Sequence, residues 1–295
     1  MKNYIKLMRV KHYIKNGLII LPIFFSQGLF NYATLRNVFF AFLSFSLMCS
    51  VVYIINDIRD IEKDKKHPEK MKRPLASGKI KKKNAYMLLS ILLIISLFLN
   101  AFSTTGKNLI ISYFLLFGYL ILNILYSFGL KNVPLIDIII LVSGFVIRII
   151  YGSVTTSIEI SSWLYLTIMS MAFYLGLGKR RKELEKNSTK SRKVLENYSK
   201  NFLDKNMYLC MSLTIIFYSL WTIDPVVSKN HKILIWTVPF VLIICMLYSM
   251  DIEGSSFGDP VEVIMNNKYL LLLVIIYIVL MFLIFYGNTI LSFIG

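Results

Sequence analysis

The chain is poor in the residues on which several common catalytic and structural sites depend. Its three cysteines, Cys49, Cys210 and Cys245, all lie inside apolar runs and lack metal-ligand spacing. A disulfide framework and a cysteine-based metal site are therefore not predicted. The three histidines are scattered along the chain, and no Ser-His-Asp or Cys-His arrangement is recognisable. These absences argue against catalysis by a protein nucleophile.

Acidic residues are also scarce, since 16 Asp and Glu stand against 33 Lys and Arg, giving a formal net charge of +17. Such an excess can indicate nucleic-acid binding, but no basic platform interleaved with aromatic residues is present. Most of the basic residues lie in short connections between apolar runs. We therefore interpret the charge as membrane topology, with an added attraction to anionic lipid head groups, and expect no nucleic-acid partner.

Long apolar segments are abundant. Hydrophobic residues make up 56% of the 295 positions, and the mean hydropathy is +0.64. Runs of about 17–22 apolar residues are long enough to cross a bilayer as helices. The sequence predicts nine such spans, at approximately 16–31, 37–56, 84–103, 108–127, 134–153, 161–178, 206–224, 231–250 and 269–290. We therefore expect an all-α, polytopic integral membrane helical bundle that forms one domain over residues 1–295.

The distribution of Lys and Arg between these spans predicts an orientation. When the connections are assigned alternately to the two sides, 28 basic residues fall on one side and 4 on the other, with Arg148 inside the fifth span. Cytoplasmic connections carry the basic excess, so the N-terminus is predicted to be cytoplasmic. The first apolar run contains Pro22 and is followed by no small-residue cleavage site, so we expect a membrane element and not a signal peptide. The expected location is the cell membrane.

The most informative stretch follows the second span and reads NDIRDIEKDKKHPEKMKR from Asn56 to Arg73. Asp57, Asp60 and Asp64 recur at i, i+3 and i+7, a spacing that places them on one face of a helix. Three converging carboxylates repel one another unless a cation lies among them, and Mg²⁺ accepts few carboxylates and completes its shell with substrate phosphate oxygens. A solvated charged loop has the same spacing, but Asn56 lies at the mouth of an apolar helix, where polar groups are usually functional. We predict a Mg²⁺–diphosphate site with Asn56 and the three aspartates as metal ligands, the aspartates being catalytic.

These residues resemble a known family. The order N-D-x-x-D-x-x-x-D at 56–64 is similar to the first aspartate-rich motif of the UbiA superfamily of intramembrane prenyltransferases, and RPLASG at 73–78 resembles the R-P-[IL]-x-x-G that follows it there. The segment RVKHYIKN at 9–16 resembles the R-P-x-x-W-x-K-N opening of the superfamily, with Val10 in place of Pro and Tyr13 in place of Trp. The resemblance implies a UbiA-like fold.

Four stretches resemble one branch of that superfamily, the polyprenyl-phosphate phosphoribosyltransferases. They are the aspartate-rich motif running into His67 and Pro68, YSFGLK at 126–131, GKRRKEL at 178–184 and the acidic connection 251–262. The resemblance implies an Mg²⁺-dependent pentosyltransferase at the cytoplasmic face, which moves the 5-phosphoribosyl group from phosphoribosyl diphosphate to a polyprenyl phosphate and releases diphosphate.

Two other functions are weighed against this one. An aromatic prenyltransferase of quinone or haem biosynthesis, with a polyprenyl diphosphate donor, would favour a fuller second aspartate pair than Asp137 offers. A transporter or lipid-binding protein would place polar residues near the bilayer midplane. Here the polar residues gather at the predicted cytoplasmic ends of the spans, with Arg148 the main exception.

Polar residues near these ends complete the predicted site. The substrate-binding candidates are Lys15, Lys72, Arg73, Tyr126, Lys131, Asp137, Arg148, Lys179, Arg180, Asp251 and Asp259. The basic residues and Tyr126 suit phosphate oxygens. Asp137 is either a ligand or a helix-capping residue, and Arg148 either contacts substrate or forms an ion pair inside the bundle. Asp251 and Asp259 either recognise ribose hydroxyls, hold a second metal ion or are solvated.

Overall fold

The structure is a computed structural model that describes residues 2–66, 68, 70–185, 193–228, 231–254 and 258–294. Every regular element within these ranges is helical, which confirms the all-α prediction. The α-helices are α1 (Lys2–Met8), α2 (Leu21–Phe25), α3 (Tyr32–Arg59), α4 (Ile61–Lys65), α5 (Lys82–Asn100), α6 (Gly106–Phe128), α7 (Ile136–Thr156), α8 (Ser162–Glu185), α9 (Lys200–Ile223), α10 (Pro225–Ser228), α11 (Val238–Glu253), α12 (Pro260–Asn266) and α13 (Lys268–Ile294). The 3₁₀-helices are Val10–Ile20, Gly28–Phe30, Lys70–Lys72, Leu130–Asn132, Lys193–Asn197 and Lys232–Thr237.

Seven segments of the described chain are long and apolar enough to cross a membrane. They are Tyr32–Arg59, Lys82–Asn100, Gly106–Phe128, Ile136–Thr156, Lys200–Ile223, Lys232–Glu253 and Lys268–Ile290. The chain is therefore a multi-pass membrane protein, as predicted. These segments correspond to seven of the nine predicted spans, so the count of nine is not confirmed, and the cytoplasmic N-terminus stays a prediction.

The first and sixth predicted spans differ from expectation for identifiable reasons. Residues 16–31 are divided among a 3₁₀-helix, the five-residue α2 and a second 3₁₀ turn, with Gln27 in the left-handed backbone region at φ 60°. Pro22 lies in the first turn of α2, where a missing N–H breaks no helical hydrogen bond. The sixth span was predicted to end at Gly178, but α8 continues to Glu185 because its basic end is buried against acidic partners.

One compact unit comprises Met1–Leu130 and Ile147–Glu159. Helix α3 is its central element, since it packs against α1, the Val10–Ile20 segment, α5 and α6. The side chain of Asn31 caps the start of α3 by accepting a hydrogen bond from the Thr34 N–H at 3.1 Å. The buried face of α3 supplies Phe45, Met48, Val51 and Ile54 to the core. The polar end of α3 is thus carried on the most deeply buried helix of this unit.

The other compact unit comprises Lys131–Val146 and Ile160–Gly295. Helices α8 and α9 pack along each other, and α11 contacts both of them as well as α13. The core of this unit includes Tyr174, Met207, Trp221 and Cys245. Asp259 starts α12 by accepting a hydrogen bond from the Val261 N–H at 3.1 Å. That a single domain covers residues 1–295 stays a prediction.

Candidate functional site

The predicted aspartates lie where α3 ends and α4 begins. Asp57 is in the last turn of α3, Asp60 is the junction residue, and Asp64 is on α4. The backbone bonds Asp60 N to Asn56 O at 3.0 Å and Asp64 N to Asp60 O at 2.8 Å continue the helical pattern across the junction. Asp57 and Asp64 are both 3% exposed. The predicted spacing therefore brings at least two of the three carboxylates into a shielded position.

Arg73 joins these two buried carboxylates. Its Nη1 lies 2.7 Å from Asp64 Oδ2 and 3.2 Å from Asp57 Oδ1, so one guanidinium nitrogen binds both. Such charge-assisted bonds are shorter and stronger than those between neutral groups. A positive charge thus lies between the two carboxylates and offsets their repulsion, and Arg73 supplies it.

Arg9 is a second cation at this position, and it was not among the predicted site residues. Its Nη2 lies 2.5 Å from Asp57 Oδ1, and its guanidinium carbon lies 4.7 Å above the centre of the Tyr53 ring. The backbone of Arg9 is left-handed, with φ 53° and ψ 45°. A residue other than glycine occupies this region rarely, and often at functional positions. The RVKHYIKN segment contained the signal, but a basic residue before a membrane span was not distinctive.

The amide of Asn56 is oriented by α6. Its Oδ1 accepts a hydrogen bond from the Ser127 hydroxyl, whose oxygen also lies 2.9 Å from the Asn123 carbonyl oxygen. Arg59, at the end of α3, lies 4.3 Å over the Phe128 ring. The end of α6 therefore holds the end of α3 in place. Ser127 belongs to the YSFGLK stretch, although only Tyr126 and Lys131 were selected from it.

The remaining predicted residues of this unit lie on three different elements. Lys72 is exposed on the Lys70–Lys72 turn, while Lys15 and Tyr126 are half-buried on their helices. Burial lowers the pKa of Lys70, and the charge of Arg73 lowers it further, whereas Asp64 and Asp60 oppose the shift. His67 of the motif, and residues 255–257 of the acidic connection, lie outside the described residues.

The end of α3 and the following α4 carry oxygen donors of the type that a divalent cation binds. An amide oxygen and carboxylate oxygens are the hard ligands that Mg²⁺ prefers. The oxygens of Asp57 and Asp64 already lie within hydrogen-bond distance of one positively charged nitrogen. Within the described residues no group of three or more His, Cys, Asp or Glu is arranged to hold a metal ion. The residue types therefore suit Mg²⁺, but in this structure the Arg73 guanidinium occupies the space between the Asp57 and Asp64 carboxylates.

Arg148 lies in a separate, buried polar cluster. Its Nε donates to Asn16 Oδ1 at 2.7 Å, and its Nη2 lies 3.3 Å from both Cys49 Sγ and the Tyr119 hydroxyl. Asn16 in turn donates to the Ser46 hydroxyl at 2.9 Å. Arg148 therefore fastens the Val10–Ile20 segment, which follows Arg9 directly, to the core of its unit.

In the other unit, Asp137 and Arg180 form a fully buried ion pair. Arg180 Nε lies 2.6 Å from Asp137 Oδ2, and Arg180 Nη1 lies 2.6 Å from Glu183 Oε2. The Tyr198 hydroxyl donates to Asp137 Oδ1 at 2.6 Å and accepts from the Leu135 N–H at 2.6 Å. Burial, together with the bond to Asp137, raises the pKa of Tyr198 to about 12, so its hydroxyl stays a donor at neutral pH. This geometry gives Asp137 and Arg180 a bracing position, and Tyr198 was not predicted.

The basic end of α8 is bonded to the acidic connection after α11. Lys179 Nζ lies 3.5 Å from Asp259 Oδ2, Arg181 Nη1 donates to the Ile252 carbonyl at 2.9 Å, and Lys182 binds the Gly254 carbonyl. Further along, Asp251 Oδ2 accepts from Asn267 Nδ2 at 2.7 Å. Lys131 lies on the Leu130–Asn132 turn, half-buried. The structure thus pairs Lys179 with Asp259, both of which were predicted.

Comparison with known proteins supports the resemblance stated above. A decaprenyl-phosphate phosphoribosyltransferase of Mycolicibacterium smegmatis is 31% identical over 290 residues, which cover 93% of this chain and 89% of that protein. The protein of the same name from Mycobacterium tuberculosis is 31% identical over 281 residues, covering 93% of this chain and 91% of that protein.

Solved structures share the fold. A UbiA homolog from Archaeoglobus fulgidus, solved with GPP and Mg²⁺, superimposes with a TM-score of 0.70 over 97% of this chain and 98% of that one, at 18% identity. The same homolog has also been solved with Cd²⁺. The sequence model described as the UbiA prenyltransferase family matches residues 18–253. The resemblance is therefore confirmed, and the chain belongs to the UbiA prenyltransferase family.

Proposed function

We propose that this protein is an Mg²⁺-dependent phosphoribosyltransferase, which moves the 5-phosphoribosyl group from phosphoribosyl diphosphate to a polyprenyl phosphate and releases diphosphate. Two relatives named for such a transfer align with 93% of the chain. The structural observation that carries the proposal is the convergence of Arg9, Arg73, Asp57 and Asp64 at the end of α3. Buried carboxylates next to two partly exposed arginines suit a metal–diphosphate group.

Asn56, Asp57, Asp60 and Asp64 would hold the Mg²⁺, which adds positive charge to the leaving diphosphate when bound. The guanidinium groups of Arg9 and Arg73 then pair with phosphate oxygens in place of the carboxylates. Guanidinium matches phosphate as well as carboxylate, because its fork of N–H donors is planar. Their side chains are 24% and 29% exposed, so both reach solvent from their present positions.

The transfer itself exchanges one C–O bond for another. The bond from ribose C1 to the diphosphate oxygen breaks, and the electron pair leaves with diphosphate. An oxygen of the polyprenyl phosphate forms the new bond to C1. Because that oxygen is already anionic at neutral pH, no protein base needs to remove a proton. Catalysis then consists of positioning and charge stabilisation, which agrees with the missing Ser-His-Asp and Cys-His arrangements.

Other residues support this chemistry in two ways. Lys15, Lys72, Tyr126, Lys131 and Lys179 are proposed to bind phosphate oxygens, as their positively charged or hydroxyl groups suit. Buried residues instead hold the backbone: Arg180 with Asp137 at the start of α7, and Arg148 through Asn16 at the N-terminal segment. We place the site on the cytoplasmic side of the membrane, because the aspartate-rich stretch lies on the side that is rich in Lys and Arg.

The test is a transfer assay on the purified full-length protein. Phosphoribosyl diphosphate labelled in the ribose, Mg²⁺ and a polyprenyl phosphate are incubated with the protein in detergent or liposomes. A labelled lipid, formed together with diphosphate, is the expected result. Absence of labelled lipid, with prenylation of an aromatic acid from a polyprenyl diphosphate, would instead support the aromatic prenyltransferase.

A further inference from the structure

Tyr248 of α11 carries a buried hydroxyl without a hydrogen-bond partner among the described residues. The residue is 3% exposed. Hydroxyl groups removed from water nearly always find a partner, because desolvation without one is unfavourable. An unsatisfied group of this kind in a packed core requires an explanation, and a bound ligand is one.

The neighbouring Tyr174 shows that this core can satisfy a tyrosine hydroxyl. The two rings lie 5.4 Å apart, and the Tyr174 hydroxyl donates to the Cys245 carbonyl at 2.7 Å and lies 2.7 Å from the Ser249 hydroxyl. The Tyr248 ring packs against Gly178 of α8, where an added Cβ would lie 3.6 Å from Tyr248 Cε1. Gly178 is adjacent to Lys179.

Charged groups accompany this hydroxyl. Asp251 follows Tyr248 by about one turn of α11, and Asp259 is paired with Lys179, the residue after Gly178. One oxygen of Asp259 caps α12 and the other lies 3.5 Å from Lys179 Nζ, while Asp251 Oδ2 accepts from Asn267. A carboxylate offers about four lone-pair sites, so it can accept from a ligand hydroxyl while it keeps protein partners. Lys179 and Asp259 are 29% and 15% exposed, which makes this pair the accessible edge of the cluster.

We propose that Tyr248, Asp259 and Lys179 form a subsite for a ribose 5-phosphate group. The Tyr248 hydroxyl bonds one ribose hydroxyl, Asp259 accepts from the neighbouring one, and Lys179 exchanges its carboxylate partner for the 5-phosphate. A carboxylate beside a hydroxyl suits a vicinal diol, and an ammonium suits a phosphate. The subsite deepens the proposed function and rests on it, since it names the residues that read the transferred sugar.

The test compares ribose 5-phosphate with 2-deoxyribose and 3-deoxyribose 5-phosphates as probes of the full-length protein in detergent. Binding is followed by titration of the thermal unfolding temperature. A site built to bond a hydroxyl discriminates against the analogue that lacks it, so we expect about tenfold weaker binding of at least one deoxy sugar. In Tyr248→Phe, ribose 5-phosphate should bind about tenfold more weakly and that discrimination should disappear. Wild-type affinity in Tyr248→Phe would overturn the proposal.

Tyr174→Phe is the matched control, because it removes a partnered hydroxyl from the same core. It should unfold at a lower temperature than wild type and bind ribose 5-phosphate normally, whereas Tyr248→Phe should unfold at the wild-type temperature or higher. An equal loss of ribose 5-phosphate binding in both variants would show that the loss comes from disturbed core packing, and it would refute the subsite. The transfer assay separates the two proposals: labelled lipid from wild type with unchanged binding in Tyr248→Phe refutes the subsite alone. Tyr248-dependent binding without any labelled lipid refutes the transfer reaction alone.

Discussion

Arg9 and Asp57 are 48 positions apart in the sequence, yet Arg9 Nη2 lies 2.5 Å from Asp57 Oδ1. The contact joins the N-terminal segment to the end of α3. Arg9 adopts a left-handed backbone, which costs about 1–2 kcal/mol for a residue with a side chain and persists only where the surroundings fix it. The Tyr53 ring and the Asp57 carboxylate are those surroundings, so the N-terminal segment is part of the acidic site.

Replacing Arg9 should weaken binding of the diphosphate donor. Arg9→Gln keeps a polar side chain but removes the charge, so we expect the KM for phosphoribosyl diphosphate to rise about tenfold or more, which corresponds to about 1.4 kcal/mol or more. The KM for the polyprenyl phosphate should change much less. Steady-state transfer assays measure both. Lys11→Gln, an exposed charge in the same segment, is the control, and an equal effect there would show that only net charge matters.

Removing the metal or its ligands should abolish transfer. Asp57→Asn and Asp60→Asn each remove a negative charge that Mg²⁺ needs, and we expect kcat to fall at least 100-fold, or about 2.7 kcal/mol. EDTA should stop the wild-type reaction and added Mg²⁺ should restore it. Glu62→Gln is the matched control, because Glu62 lies on α4, two residues after Asp60, and its side chain is 80% exposed. Wild-type turnover by Asp60→Asn would remove Asp60 from the proposed ligands.

Two glycine substitutions should have clearly different effects on the free energy of unfolding. A Cβ on Gly152 would lie 2.3 Å from the Ile19 carbonyl oxygen, which is backbone and cannot rotate away. Gly152→Ala should therefore destabilise the protein by about 1–3 kcal/mol, as overpacking does. Gly118, inside α6, has nothing within 4 Å of an added Cβ, so Gly118→Ala should be neutral or stabilising by up to about 1 kcal/mol. Thermal unfolding in detergent compares them, and similar melting temperatures for the two variants would contradict the close packing.

Breaking the Asp137–Arg180 pair should also destabilise the protein. Arg180→Gln leaves Asp137 as a buried carboxylate without its cation, and such losses cost about 3–5 kcal/mol. The double variant Asp137→Asn with Arg180→Gln should recover part of that loss, since neither member of the pair is then charged. Lys200→Gln serves as the control. The Lys200 side chain, which pairs with Glu185, is more than half exposed, so this ion pair should contribute at most about 1 kcal/mol to the free energy of unfolding. Equal melting temperatures for Arg180→Gln and Lys200→Gln would rule out a bracing role.

The sequence could reveal helices and aspartates because both depend on local patterns. Seven apolar runs were long enough to predict the helices that the structure contains. The exceptions follow from interactions that local hydropathy does not report: α8 extends past Gly178 because Arg181 and Lys182 have partners on α9 and after α11. The same reason explains the missed residues, since Arg9 and Tyr198 became recognisable only through partners 48 and 61 positions away.

The 3₁₀ conformation of residues Val10–Ile20 determines how far this segment extends. Eleven residues at a 3₁₀ rise of about 2.0 Å reach roughly 22 Å, whereas the same residues in an α-helix, at about 1.5 Å each, would reach roughly 16 Å. The C-terminal part of this 3₁₀-helix is held in place by the hydrogen bond from Arg148 to Asn16 and by the close contact between Ile19 and Gly152. If the segment formed an α-helix instead, its N-terminal end would lie several ångströms closer to its C-terminal end. Arg9 would then no longer reach the Asp57 carboxylate. The longer rise of the 3₁₀-helix thus makes this segment a spacer that positions Arg9.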